Sequence, residues 1–255
     1  MPAAPRDVFW QVHSDNPREG PGSDESTARA FALLGTLPAR PRILDIGCGP
    51  GAQTLCLAGL CDGTITAIDT HRPFLDRLDQ EIERRGLSAR VTVREADMAD
   101  LPFRDGAFDV IWAEGSLCFL GVERALRAWR RLLADGGALA FTEVSWLKPD
   151  VPAEVRDYGK VYPGMADVER NLAVIAEQGY RVLGHFTLPA KDWWTGYYDP
   201  IRRKLPGLRE EHRNDPAALE VISQHEAEMR LHELHAACYG YEFYVARAQR
   251  FATSR

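Results

Sequence analysis

The stretch Ile43-Leu44-Asp45-Ile46-Gly47-Cys48-Gly49-Pro50-Gly51 decides how the rest of the chain is read. A short apolar run, read as a strand, ends in a glycine-rich turn that opens a helix near Gln53 to Leu60. Glycine tolerates positive φ and lets the backbone approach a ligand closely. The exposed N–H groups of a helix N-terminus favour a negatively charged group. The spacing Gly47-x-Gly49-x-x-Ala52 also fits the loose dinucleotide pattern, so the turn alone leaves a nicotinamide-dependent oxidoreductase open.

Working outward, further apolar runs lie at Thr64 to Asp69, Val91 to Glu95, Phe108 to Ala113 and Ala138 to Val144. Helical stretches near Pro73 to Arg85 and Val122 to Ala134 separate them. This alternation predicts an α/β fold, a parallel sheet covered by helices on both faces, with its ligand along the carboxyl edge of the strands. Upstream, the residues up to Gly22 read as a loop carrying an aromatic patch at Phe9, Trp10 and His13. A helix capped near Ser23 then runs toward Gly35. Downstream, a helix is expected from Met165 to Gln178, a strand at Tyr180 to Leu188, a long charged helix from Asp215 to about Cys238, and a last strand at Tyr239 to Ala248.

Composition narrows the function. The 255 residues carry 31 Lys and Arg against 37 Asp and Glu, a net charge of -6, the wrong balance for a nucleic-acid partner. No apolar run reaches the roughly 20 residues of a membrane helix, and Met1-Pro2-Ala3-Ala4-Pro5 does not lead into a signal peptide. The five cysteines are scattered and form no Cys-x-x-Cys pair, so reduced thiols in a cytoplasmic protein without a metal site are expected.

Three carboxylates bear on the ligand, of which Asp69 is shared with nicotinamide enzymes and does not discriminate. Asp45, two residues before the first glycine, suits an ammonium group and would repel a dinucleotide pyrophosphate. Asp69 ends the second run, where an acid accepts from both ribose hydroxyls. Asp97-Met98 follows the third run, an acid for an exocyclic amine and a thioether to cover the ring.

With these four elements the chain resembles the class I S-adenosylmethionine-dependent methyltransferases over roughly residues 40 to 148. Asp97-Met98-Ala99-Asp100-Leu101-Pro102-Phe103 with Phe108-Asp109-Val110-Ile111 is similar to that superfamily's third and fourth blocks. Leu132 to Leu139 is similar to the turn before its fifth strand. The resemblance implies a Rossmann-like seven-stranded, mostly parallel sheet with an antiparallel last strand, and S-adenosylmethionine as cofactor. It implies Gly47, Gly49 and Gly51 at the methionine moiety, Asp69 at the ribose, and Asp97 with Met98 at the adenine. A narrower similarity to bacterial small-molecule methyltransferases runs through Arg18 to Ser23, Glu114-Gly115-Ser116, Glu143 to Trp146 and Tyr239-Gly240-Tyr241. In that comparison Arg18, Gln53 and Glu114 join the cofactor-binding set, while Gly20-Pro21-Gly22 is either a cofactor-enclosing loop or a plain turn.

Glu114 and Glu143 end the fourth and fifth runs and are candidate bases, or else hydrogen-bond partners of the cofactor or backbone. His13 is the candidate if the N-terminal segment folds over the site. Trp146, Tyr158, Tyr162, Trp193, Trp194, Tyr197 and Tyr198 form either an acceptor chamber or the core of a cap. His225, His232 and His235 share one charged helix and read as a solvated face. The organisation expected is one domain: 1–40 an N-terminal lid and helix, 41–148 the cofactor core, 149–238 a mobile substrate-side cap, and 239–250 the last strand. The function expected is methyl transfer to a small-molecule acceptor. The alternatives are a nicotinamide oxidoreductase, for which no Tyr-x-x-x-Lys is present, or a methyltransferase acting on protein or RNA.

Overall fold

Alternating apolar residues along the strands divide the interior into two cores, one on each face of a sheet. The computed structural model describes residues 5–160, 162 and 164–249. The Met1–Ala4 end, where no signal peptide is read, and position 250 of the expected last strand lie outside them. The strands are β1 (Arg42–Ile46), β2 (Thr64–Asp69), β3 (Val91–Glu95), β4 (Phe108–Ala113), β5 (Leu133–Trp146), β6 (Ala166–Asp167), β7 (Tyr180–Thr187) and β8 (Tyr239–Ala248). The sheet order is β3-β2-β1-β4-β5-β8-β7, with β6 paired to the end of β5. β1 to β5 run parallel, and β8 is inserted antiparallel to both β5 and β7. The sheet is therefore Rossmann-like and mostly parallel with an antiparallel last strand, as expected. The two-residue β6 adds an eighth strand to the seven anticipated.

Ile43, Ile65, Ala67, Val110, Trp112 and Ala140 face one core, against α2 (Asp24–Leu33), α3 (Ala52–Leu60) and α4 (Arg72–Arg84). Leu44, Ile46, Ile68, Ile111, Leu139 and Phe141 face the other, against α5 (Val122–Trp129) and α7 (Val168–Glu177). Successive residues thus bury on opposite faces, as period-2 strands covered on both sides require. Ser23 caps α2 by accepting from the Ser26 amide at 3.1 Å, and Asp167 caps α7 by accepting from the Arg170 amide at 2.7 Å.

Three expectations are corrected. The N-terminal segment is not a loop: Pro5–His13 form α1, whose Val8 and Val12, one turn apart, are fully buried. The helix after Gly121 ends at Trp129, and β5 begins at Leu133 with a register shift before Ala138. The segment between β7 and β8 carries more helix than the single long one anticipated. It comprises α8 (Lys191–Trp193), a π turn (Trp194–Tyr198), α9 (Asp199–Glu211) and α10 (Pro216–His235). Its Trp193, Tyr198, Ile201, Leu205, Ile222 and Met229 belong to the same core as β1 and β4. A short α6 (Ala153–Gly159) packs beside it. Among the described residues no helix is long and apolar enough to cross a membrane.

His232 on α10 is 2% exposed, stacks on Trp193 at 3.9 Å, and has no hydrogen-bond partner at either ring nitrogen. Burial pushes its pKa down to about 4 from the ordinary 6.5. The unfolded chain then binds the extra proton first, so stability falls as pH drops from about 6.5 toward 4. Urea unfolding at pH 7 and pH 5 should show His232→Phe escaping about 2 kcal/mol of the loss suffered by the native chain.

Candidate active site

The carboxyl ends of β1, β2 and β4 open into a cavity of about 920 Å³, roofed by α1 and walled by the helices between β7 and β8. At its floor the glycine turn follows β1 with φ of 70° at Gly47, 53° at Gly49 and 94° at Gly51. A side chain at Gly47 would meet the Ser116 Cβ at 2.3 Å, so this glycine exists for close packing as well as for its backbone angle. The Gly49 amide donates to Asp69 at 2.9 Å and the His71 amide donates to its other oxygen at 2.8 Å. Each carboxylate oxygen keeps a further lone pair toward the cavity. Gly47, Gly49, Gln53, Asp69, Asp97 and Met98 all line the space. Asp97 accepts from the Ala99 amide at 2.8 Å, which fixes the loop after β3.

Two residues of the expected binding set stand behind the wall. Asp45 is fully buried under the turn, accepting from the Thr54 hydroxyl at 2.5 Å and from Gln53 at 3.4 Å. Burial raises its pKa to about 7. It braces α3 against β1 and does not line the cavity. Gly51 faces Leu78 of α4, where a Cβ would lie 2.2 Å from a methyl group.

The two candidate glutamates separate. Glu114 lines the cavity, yet its oxygens accept from Arg18 at 3.1 Å, Thr27 at 2.7 Å and Trp112 at 2.8 Å. Burial pushes its pKa up, against the opposing pull of Arg18. A carboxylate so occupied anchors the Arg18 loop and is a poor proton acceptor. Glu143 points to the face that carries Phe141 and Ser145, away from the cavity lining, with Oε2 buried and unpartnered. Burial takes it up to about 8. It is buried behind the chamber and does not face it.

His13 does face the cavity. Its Nδ1 pairs with Glu19 at 2.6 Å and its Nε2 with His225 Nε2 at 3.1 Å, while Phe9 stacks on the ring at 4.2 Å. His225 Nδ1 donates to the Val221 carbonyl at 2.8 Å, which leaves its Nε2 an acceptor and makes His13 Nε2 the donor. His13 Nδ1 is then an acceptor, so the proton in the 2.6 Å bond belongs to Glu19. Burial drives the two groups the same way, lowering His13 to about 4 and raising Glu19 to about 8. Lys204 and Arg77 pull Glu19 down, Asp69 pushes it up, and Glu228 raises His13.

The aromatic residues divide between both readings. Tyr158, Tyr162, Trp193, Tyr197 and Tyr241 line the cavity, whereas Tyr198 is core and Trp194 lies under Arg202 at 4.4 Å. Trp10 stacks on His71 at 3.7 Å and ties α1 to α4. Sequence reasoning gave no role to Cys118, Phe119 or Glu228 and named Glu19 and Ser116 only inside longer motifs, yet all five line the space. Of the three histidines on α10, His225 reaches the cavity, His232 is core, and only His235 pairs outward, with Glu154. Among the described residues no three His, Cys, Asp or Glu side chains are grouped to hold a metal ion.

Comparison with known proteins joins this geometry to a family. Residues 44–141 match the family model described as a methyltransferase domain. The chain is 28% identical over 225 residues to the 27-O-demethylrifamycin SV methyltransferase of Amycolatopsis mediterranei, covering 80% of each chain. It is 37% identical over 124 residues to the demethylmenaquinone methyltransferase of Thermus thermophilus, covering 48% of this chain and 56% of that one. The crystal structure of a SAM-dependent methyltransferase from Geobacter sulfurreducens in complex with S-adenosyl-L-homocysteine superposes with a TM-score of 0.79 at 23% identity, over 96% of this chain and 99% of that one. The methyltransferase domain at residues 44–141 and these relatives support the class I S-adenosylmethionine-dependent methyltransferase superfamily for this chain. Nothing found supports the oxidoreductase alternative, and the antiparallel β8 between β5 and β7 departs from the strand order of dinucleotide folds.

The residues present fit the methyltransferase cofactor. Asp69 retains free lone pairs at the cavity edge, Met98 offers an apolar face beside Asp97, and Gly49 leaves open the space over the turn. The lock on the roof is the buried pair Arg18–Glu114, whose side chains are 8% and 4% exposed. Glu114→Ala leaves that guanidinium with only the exposed Asp24 at 2.9 Å, and should cost about 3 kcal/mol in chemical denaturation. The double variant Arg18→Met/Glu114→Gln, which removes both charges, should recover most of the loss.

Proposed function

We propose that this methyltransferase transfers the cofactor's methyl group to a small-molecule acceptor bound beneath α1, with His13 as the proton acceptor. The observation that carries the reading is the single cavity joining Asp69, Asp97 and Met98 on one side to His13, Glu19 and Tyr197 on the other. The relatives named for rifamycin and menaquinone support a small acceptor over a nucleic acid or protein, as does the net charge of -6. A cytoplasmic setting is part of the proposal, supported by five free cysteines.

When bound, the cofactor supplies an electrophilic sulfonium methyl. The chain's residues must then orient the acceptor in line, exclude water and take up a proton. In this reading Asp69 holds the ribose hydroxyls and Asp97 with Met98 the adenine. Gly47 and Gly49 border the methionine moiety, and Arg18, held by Glu114, and Gln53 close that end. The proton couple explains how His13 acts. While Glu19 holds its proton, His13 Nε2 carries hydrogen and faces His225. Once Glu19 loses it, the carboxylate draws hydrogen to His13 Nδ1 and frees the Nε2 lone pair, which an acceptor O–H or N–H can fill.

Turnover should therefore rise with pH to a plateau above about 8, the level to which burial lifts Glu19, with the couple titrating as a unit. His13→Ala or Glu19→Gln should lower kcat by about 10²-fold or more and abolish that ionisation, with S-adenosylhomocysteine affinity kept. Glu143→Gln should leave kcat unchanged. Asp69→Ala should weaken S-adenosylhomocysteine binding by about 1.5–3 kcal/mol in calorimetry. A metabolite screen read by S-adenosylhomocysteine release, with Asp69→Ala as the blank, tests the activity itself.

A further inference from the structure

One charge at the acceptor end of the cavity is left unbalanced. Glu228 of α10 lines the space with Tyr158, Tyr162, Tyr197, Trp193 and Tyr241. Its carboxylate accepts from the Tyr198 hydroxyl at 2.9 Å and has no ion-pair partner among the described residues. The cations that could serve it are committed elsewhere. Arg18 is bonded to Glu114 and Asp24, and Lys204 to the Ser14 carbonyl and Asn16 Oδ1. Arg124 borders the same cavity but is exposed and makes no ion pair with Glu228. His13 and His225 are kept neutral by burial.

The five rings beside Glu228 have a common electrostatic property. The four tyrosine hydroxyls stay protonated, since burial raises their pKa values and the field of Glu228 adds to this at Tyr158, Tyr162 and Tyr197, so each of the five rings keeps the negative face of a neutral aromatic. Aromatic faces around a carboxylate attract a weakly hydrated cation and offer little to an anion.

We propose that the acceptor carries a cationic nitrogen, an amino or quaternary ammonium group, seated on Glu228 within the wall of tyrosines. The proposal rests on the reading of this cavity as a methyl-transfer site and narrows the acceptor's class without assigning the atom that is methylated.

The test uses the full chain saturated with S-adenosylhomocysteine, whose sulfur is uncharged, so that the cofactor places no cation in the chamber. Choline and its neutral isostere 3,3-dimethylbutan-1-ol are titrated by tryptophan fluorescence. Choline should bind at least tenfold more tightly, and Glu228→Gln, which can still accept from Tyr198, should remove that preference while leaving the isostere's affinity unchanged. Equal binding of the two probes, or binding of neither, overturns the proposal. A Glu228→Gln variant that keeps the choline preference but loses affinity for S-adenosylmethionine relative to S-adenosylhomocysteine also overturns it, by giving Glu228 to the sulfonium. Failure of S-adenosylhomocysteine itself to bind strikes at the methyl-transfer reading, so the two failures are distinct.

Discussion

The carboxylate of Glu114 stands where three parts of the chain meet at the end of the central strand β4. It accepts from Trp112 on its own strand, from Thr27 on α2, and from Arg18 in the loop below α1. Without water, each of these buried donors would be stranded if the carboxylate were lost. The loop held in this way carries Glu19 and Gly20 into the cavity and, through Asn16, is fastened to Arg77 of α4 and Lys204 of α9. A polar group at a strand end thereby fixes a roof that no apolar packing would place with the same precision. The cost is chemical: with Thr27 and Trp112 on Oε1 and the Arg18 guanidinium on Oε2, this anion is a weak acceptor of a proton.

The strand order explains why that roof covers a usable space. β1 and β4 lie side by side at the middle of the sheet, and the chain leaves them on opposite faces, toward α3 and toward α5. The crevice between the departing chains is where ligands of open parallel sheets bind. β8 then returns antiparallel beside β5 and brings Tyr241 opposite Val144, so the far wall of the cavity comes from the last strand.

Much of this was legible in sequence because it depends on local pattern. The glycine turn, the acids closing β2 and β3, and the strand limits at Thr64–Asp69 and Val91–Glu95 follow from short-range spacing alone. The misreadings of Asp45 and Glu143 share one cause. Both were placed by position along a strand and not by face, although alternation puts Asp45 with Ile43 toward α3 and Glu143 with Phe141 and Ser145 toward α7. α1 was missed because nine residues carry only one buried Val8–Val12 step, too short for a period to emerge. The His13–His225 pair joins residues 212 apart in the chain, and no local signal encodes it.

The expectation of a mobile cap over residues 149–238 also changes once burial is weighed. Trp193, Tyr198, Ile201, Leu205, Ile222 and Met229 are each at most 5% exposed and share the core of β1 and β4. At roughly 1.5–3 kcal/mol per buried large apolar side chain, lifting these helices would cost about 10 kcal/mol or more. α1 buries only Val8 and Val12 fully, and its other ties are separable: Trp10 on His71, Gln11 on His212 at 2.7 Å, His13 on Glu19 and His225. Water can satisfy those polar groups when they part, which it cannot do for Trp193 or Met229. The cheaper opening is therefore at α1, the helix that carries His13 over the cavity.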